Sequence, residues 1–108
     1  MLSEQLSEKI RLNQLFDFYG ELLTQKQQTY FTHYYQDDYS LAEIAQLLDV
    51  SRNAVFDQIQ KAVEHLEHYE ATLQLSTKSQ LRSEKYLELE KHTDASGIEI
   101  LEALKGLE

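Results

Sequence analysis

The stretch Ser40 to Leu66, SLAEIAQLLDVSRNAVFDQIQKAVEHL, constrains the fold more than any other part of the chain. Ser40 is placed to cap a short helix, and Glu43 three residues on completes a capping box. Leu41, Ile44, Ala45 and Leu48 recur at helical spacing and give that helix one apolar face. Asp49 and Val50 interrupt the run. Ser51 is placed to cap a second helix, whose apolar face is Val55, Ile59, Ala62 or Val63, and Leu66. Two helices so close in sequence must cross steeply. Ala45 offers a small side chain at the crossing, and Val50 is expected to plug the turn. The pattern is that of a helix-turn-helix, whose second helix is the one that enters a DNA major groove.

The flanking segments continue the helical pattern. Leu12, Leu15, Phe16, Phe18, Tyr19, Leu22 and Leu23 give a wide apolar face, with its aromatics read as core. Gly20 lies inside that pattern, where close helix packing is the expected reason for it. Met1 to Arg11 is polar and either frays or extends the first helix. Thr24 is placed to cap a helix from Gln25 to Gln36, whose aromatics Tyr30, Phe31, Tyr34 and Tyr35 share a broad face. His33 reads as a half-exposed surface residue. Asp37 and Asp38 form the loop into the motif. A paired carboxylate can hold a cation, but a solvated turn is the expectation there.

The resemblance carried by these residues is specific. Leu23 to Leu66 is similar to the helix-turn-helix of bacterial sigma-factor region four. The longer run LFDFYGELLTQKQQTYFTHYYQDDYSLAEIAQLLDVSRNAVFDQI resembles the small bacterial YlxM-like helix-turn-helix proteins. The similarity is strong over Leu12 to Leu75 and weak in the last third. For function it implies an association with the signal recognition particle pathway, without an implied activity.

The second motif helix is expected to run from Arg52 to about Leu75. Ile59, Ala62, Leu66, Tyr69 and Leu73 step by three and four residues. Ser76 to Ser79 reads as a break. Leu81 to Lys91 is helical in propensity, HTDASG from His92 to Gly97 reads as a loop, and Asp94 or Ser96 can cap a last helix. Ile98, Ile100, Leu101, Leu104 and Leu107 give that helix one apolar side. Ser83 to Glu108 carries seven acids and three bases, so its other side is an acidic, solvated face. The expected fold is all-α: a helix-turn-helix core over residues 1–75 and a helical extension over 76–108 within the same structural unit. With 108 residues and no Pro, one domain of uninterrupted helices is the natural expectation.

Composition removes several function classes. There is no Cys, so disulfides and thiolate metal sites are excluded. No apolar run approaches bilayer-spanning length, so no membrane partner is expected. The region from Met1 to Gln14 has Glu4, Glu8, Lys9 and Arg11 and no apolar core, unlike a signal peptide; a cytoplasmic location is the expectation. No phosphate-binding glycine loop and no catalytic constellation stand out, so an enzyme is not expected, and neither is a cofactor. His65 and His68 share a helical face beside Glu64 and Glu67, but no third metal ligand is identifiable, and they read as surface histidines.

Two functions compete. In the first, a DNA-binding regulator presents Ser51, Arg52, Asn53, Phe56, Asp57 and Gln60 to a duplex, with Arg52 reading guanine or holding phosphate and Asn53 reading adenine. In the second, the fold is an interaction module without DNA binding, whose partner is a protein, such as the particle's GTPase, or the particle's RNA. The net charge of −9 opposes the first, because phosphate contacts need bases. From Ser40 to His68, Arg52 and Lys61 face Glu43, Asp49, Asp57, Glu64 and Glu67. A homodimer is also expected, with Leu66, Tyr69, Leu73, Leu81, Leu87, Ile98, Leu101 and Leu104 at its interface, because the long helix outruns its cover within Leu12 to Leu48; the alternative is that these apolar faces fold back within one chain.

Overall fold

The computed structural model describes residues 2–108, all of whose regular elements are helical. In chain order they are α1 (Leu2–Tyr19), a 3-10 turn (Gly20–Leu22), α2 (Gln25–Tyr35), α3 (Leu41–Leu48), α4 (Arg52–Leu73), α5 (Leu75–Glu90) and α6 (Ala95–Gly106). The chain divides into two compact units, Met1–Ser76 and Thr77–Glu108. The all-α expectation is met. Of the polar start, Leu2 to Arg11 extends α1, and Met1 lies outside the described residues.

In the first unit α4 is the axis, packing against α1, α2 and α3. One cluster joins Leu12, Leu15 and Tyr19 of α1 with Leu23, Phe31, Ala62 and Leu66. The other joins Tyr30, Ile44, Val55 and Ile59, with Leu41, Ala45 and Leu48 packed on it. Val63 and Tyr35 touch both clusters, so the core is continuous along α4. Each fully buried Leu or Phe here contributes roughly 1.5–3 kcal/mol of transfer free energy. Phe16 and Phe31 stack with ring centroids 4.7 Å apart. Gly20 ends α1 rather than lying within it. A Cβ there would come within 2.9 Å of the Phe16 ring, four residues earlier in the chain, so the crowding is with a neighbouring side chain of α1 rather than the helix-against-helix packing expected.

Helix ends follow the local chemistry. Thr24 and Ser40 each form a complete capping box, with Gln27 and Glu43 respectively. Ser51 Oγ accepts from the Ala54 N–H at 3.0 Å, and Asp94 accepts from the Gly97 N–H at 3.0 Å.

Several expectations change. Val50 does not plug the turn and is exposed; the turn is closed by the Asp49 and Val50 N–H groups, which both donate to the Ala45 carbonyl. Asp49 takes the left-handed conformation (φ 56°) that lets the chain leave α3. Phe18 and Leu22 are exposed rather than core, because the buried face of α1 is narrower than the apolar run. The break after α4 falls at Gln74 (φ 54°), not at Ser76 to Ser79. Leu66 and Tyr69 do not outrun their cover: α1 lies alongside α4, Leu66 is fully buried against it, and the Tyr19 and Tyr69 rings lie 5.8 Å apart. Leu66 is therefore removed as an interface residue.

The second unit consists of most of α5, together with α6. Lys105 pairs with Glu90 at 2.8 Å, and Arg82 pairs with Glu108. Glu90 holds the Lys105 ammonium above its ordinary value through that hydrogen bond. Leu101 is fully buried within the chain, so it too leaves the interface set, whereas Leu81, Leu87, Ile98 and Leu104 stay exposed.

Candidate functional site

The motif face of α4 is built by two caps and one turn. Ser51 fixes the start of the helix, and Val55 and Ile59 lock it inward against Ile44 and Tyr30. The helical repeat then turns Arg52, Asn53, Phe56, Asp57 and Gln60 outward. All five are exposed, as is Ser51, so the six residues expected to face a groove are brought together on one accessible surface. The Ser51 hydroxyl is already engaged as the cap. Arg52 has no ion pair among the described residues, and its guanidinium is available for a partner.

The electrostatics of this surface are acidic. Glu43, Asp49, Asp57 and Glu64 are exposed around it, against Arg52 and Lys61. Glu67, further along α4, is paired with Arg11 at 2.6 Å. Leu47, Val50 and Phe56 add exposed apolar area at the end of α3, in the turn and on α4.

The other candidates resolve into structural roles. His65 Nδ1 lies 3.4 Å from the Gln27 amide nitrogen, and the His68 ring lies beside Tyr69. No group of three or more metal-ligating side chains converges among the described residues. No helix is long and apolar enough to cross a membrane among the residues searched. Asp38 pairs with Lys9, and Asp37 lies 3.4 Å from His33, so the two carboxylates of the loop face the chain's own side chains.

Two features were not foreseen. One is a hub at the foot of α4. The buried Tyr19 hydroxyl donates to Glu70 Oε1 at 2.6 Å and accepts from the Leu75 N–H at 3.0 Å. The same Glu70 oxygen accepts from the Ser76 N–H at 3.1 Å. Burial, and then the Glu70 carboxylate, raise the Tyr19 phenol above its ordinary value. The other is a cavity of about 500 Å³ where α1, α2 and the start of α3 meet, lined by tyrosines and carboxylates. Neither carries a local sequence signal, since each joins residues far apart in the chain.

The similarities to known proteins agree with this architecture. A family model described as "Putative helix-turn-helix protein, YlxM / p13 like" matches residues 6–104. The UPF0122 protein BH2485 of Halalkalibacterium halodurans is 45% identical over 105 residues, covering 95% of this chain and 96% of the relative. The UPF0122 protein RBAM_015800 of Bacillus velezensis is 46% identical over 102 residues, covering 94% and 91%. The UPF0122 protein lwe1821 of Listeria welshimeri is 52% identical over 80 residues, covering 74% and 73%. The chain belongs to the UPF0122 family of YlxM/p13-like helix-turn-helix proteins.

Proposed function

We propose that the chain is an interaction module: it keeps the helix-turn-helix as a scaffold and binds a protein partner with it. The observation that carries this reading is the charge around the exposed motif, where Glu43, Asp49, Asp57 and Glu64 stand against Arg52 and Lys61. A duplex presents one negative charge about every 1.7 Å of axis, so such a face repels it at the distances where steering acts. Exposed Phe56, Leu47 and Val50 suit a protein interface, whose core is enriched in aromatics and depleted in charge. The resemblance to YlxM-like proteins directs the search for that partner to protein components of the signal recognition particle pathway.

A second reading, a DNA-binding regulator, is favoured by one specific observation. Arg52, Asn53 and Gln60 are exposed together on the helix that would enter the groove. Binding to duplex DNA across a salt series separates the two. Flat or absent binding supports the interaction module. Tight binding with a steep inverse salt slope overturns it in favour of the regulator.

A further inference from the structure

None of the groove-facing residues of α4 lines the cavity between α1, α2 and α3. Glu8 and Lys9 reach it from α1, Tyr34 and Tyr35 from α2, and Tyr39 and Glu43 from the loop and the start of α3. Its volume of about 500 Å³ falls within the ordinary range for a ligand site. The rings of Tyr34 and Tyr35 meet edge to face at 90°, with centroids 5.0 Å apart. The Tyr39 ring is steadied by stacking on His33 at 5.3 Å. The aromatic wall is thus held in place before any ligand arrives.

The lining is net acidic, with Glu8, Asp38 and Glu43 against Lys9. Its only base, Lys9, is held by Asp38, also part of the lining. Glu43 spends one carboxylate oxygen on the Ser40 N–H as a capping partner. Glu8 has no ion-pair or hydrogen-bond partner among the described residues. Glu8 and Glu43 therefore stand beside the lining tyrosines without a cationic partner among the described residues. Burial, with Tyr34 and Glu8 adding, pushes the Tyr35 phenol up to about 12, so its hydroxyl stays neutral and able to donate or accept.

A preformed aromatic wall with carboxylates beside it suits a cation with a flat face. A guanidinium stacks on a tyrosine ring and pairs with a carboxylate through parallel N–H donors. An ammonium is a compact point charge that retains more of its hydration. An anionic ligand, nucleic acid included, meets Glu8 and Glu43 unpaired. We propose that this cavity is a docking site for an arginine-bearing basic segment of a partner protein, seated with guanidinium groups against Tyr34 and Tyr39 and paired with Glu8 and Glu43. The proposal rests on the interaction-module reading and adds to the motif face a second place of contact, with its chemistry. The net charge of −9 aids encounter with such a segment, while the cavity gives it an address.

The test uses a fluorescein-labelled Arg-Ala alternating peptide of about eight residues, a length that spans such a cavity when extended. Its Lys-Ala counterpart serves as the competitor of equal charge. Binding to the full chain is followed by anisotropy, and the tyrosine ring resonances by NMR. The Glu8→Gln/Glu43→Gln variant keeps the Gln side chain needed for the capping box. It is expected to bind the arginine peptide roughly tenfold more weakly, the sum of two partly exposed ion pairs. Tyr34→Leu is expected to weaken it as well and to narrow the preference for arginine over lysine. The Glu99→Gln/Glu102→Gln variant removes the same charge from α6 and is expected to change binding less than twofold, which sets the scale for general attraction. Equal loss in both double variants, or ring shifts absent from Tyr34 and Tyr39, overturns the cavity as the site. That failure leaves the interaction-module reading standing, because only the duplex-DNA salt series bears on it.

Discussion

The Tyr19 hydroxyl and the Glu70 carboxylate, 51 positions apart, share a 2.6 Å hydrogen bond that fixes how α4 ends. Tyr19 is fully buried at the foot of α1, and Glu70 lies one turn before Gln74, the left-handed residue that stops α4. Leu75 and Ser76, the first residues of α5, present N–H groups with no partner inside their own helix. These two groups donate to the Tyr19 oxygen and to Glu70 Oε1. A side-chain pair from α1 and α4 thus does for α5 what Ser40 and Ser51 do for their own helices.

Replacing Tyr19 by Phe keeps the ring in the core and removes only the hydroxyl. The Leu75 N–H then loses its acceptor and Glu70 one of its donors. The expected cost is about 1–3 kcal/mol, as for a buried polar group left unpaired. Urea denaturation measures it as a lower midpoint at unchanged slope. A midpoint equal to that of the parent chain would show that the hub does not hold the junction.

Alkaline pH should weaken the fold through two phenols. Tyr19 is raised above 10.0, mainly by burial, and Tyr35 is raised to about 12, also mainly by burial. The folded state therefore keeps these protons at pH values where the unfolded chain has lost them. The stability they contribute is fully present below pH 10 and is lost as pH rises through the folded values. Between pH 10 and 12, stability should fall less steeply in Tyr35→Phe than in the parent. Denaturant titrations at stepped pH measure both slopes, and parallel slopes would contradict the assignment.

Arg52 and Asn53 should matter for a ligand and little for the fold. Both are exposed and lie off the buried face of α4, so Arg52→Ala and Asn53→Ala should shift stability by less than about 0.5 kcal/mol. Ser51→Ala, one residue earlier, should cost about 1 kcal/mol, because it removes the acceptor for the Ala54 N–H. If the chain does bind duplex DNA, Arg52→Ala should weaken that binding by about 1–3 kcal/mol. DNA binding that survives the change intact would remove the groove-reading geometry.

Removing the Asp94 carboxylate should loosen the start of α6. Its pKa is lowered, chiefly by the Gly97 N–H and then by the Ser96 hydroxyl. The contribution is present above the ordinary aspartate value of 3.8 and is lost as pH falls through the lowered folded value. Amide hydrogen exchange at Gly97 and Ile98 should be faster in Asp94→Ala, while amides of α4 keep their protection. A uniform change across both helices would point away from a capping role.

What could be read from the sequence was local. Thr24, Ser40, Ser51 and Asp94 cap helices because each acts within three residues of itself. The inward set Val55, Ile59, Ala62 and Leu66 follows from the helical repeat alone, and so does the exposure of Arg52, Asn53 and Gln60. The misplaced features are tertiary. Gln74 is no glycine, and its left-handed turn after α4 is steadied from α1 by Tyr19. Phe18 and Tyr19 look alike in sequence, yet only Tyr19 meets α4. The cavity draws its lining from Gln5 to Glu43 across three helices and a loop, and no spacing rule connects them.

The expected state in solution is a homodimer formed outside the helix-turn-helix. Within Thr77–Glu108, Leu81, Leu87, Ile98 and Leu104 stay exposed, joined by Leu89, Ile100 and Leu107; Leu107 is 84% exposed. Leu73, in the last turn of α4, is exposed as well, and Tyr69 is half-buried. Leu66 and Leu101 are consumed inside the chain and take no part. Scattered exposed leucines are ordinary on a surface; these seven large aliphatic residues within Thr77–Glu108 are the area such a dimer would cover. A two-fold axis would let the same residues cover each other. Sedimentation equilibrium at roughly 50 μM distinguishes the states, since a low-micromolar Kd leaves most chains paired at that concentration. Leu87→Glu with Leu104→Glu places carboxylates in the shared surface and should give a folded monomer. A monomeric parent would overturn the dimer, and a variant that still pairs would move its interface to the first unit.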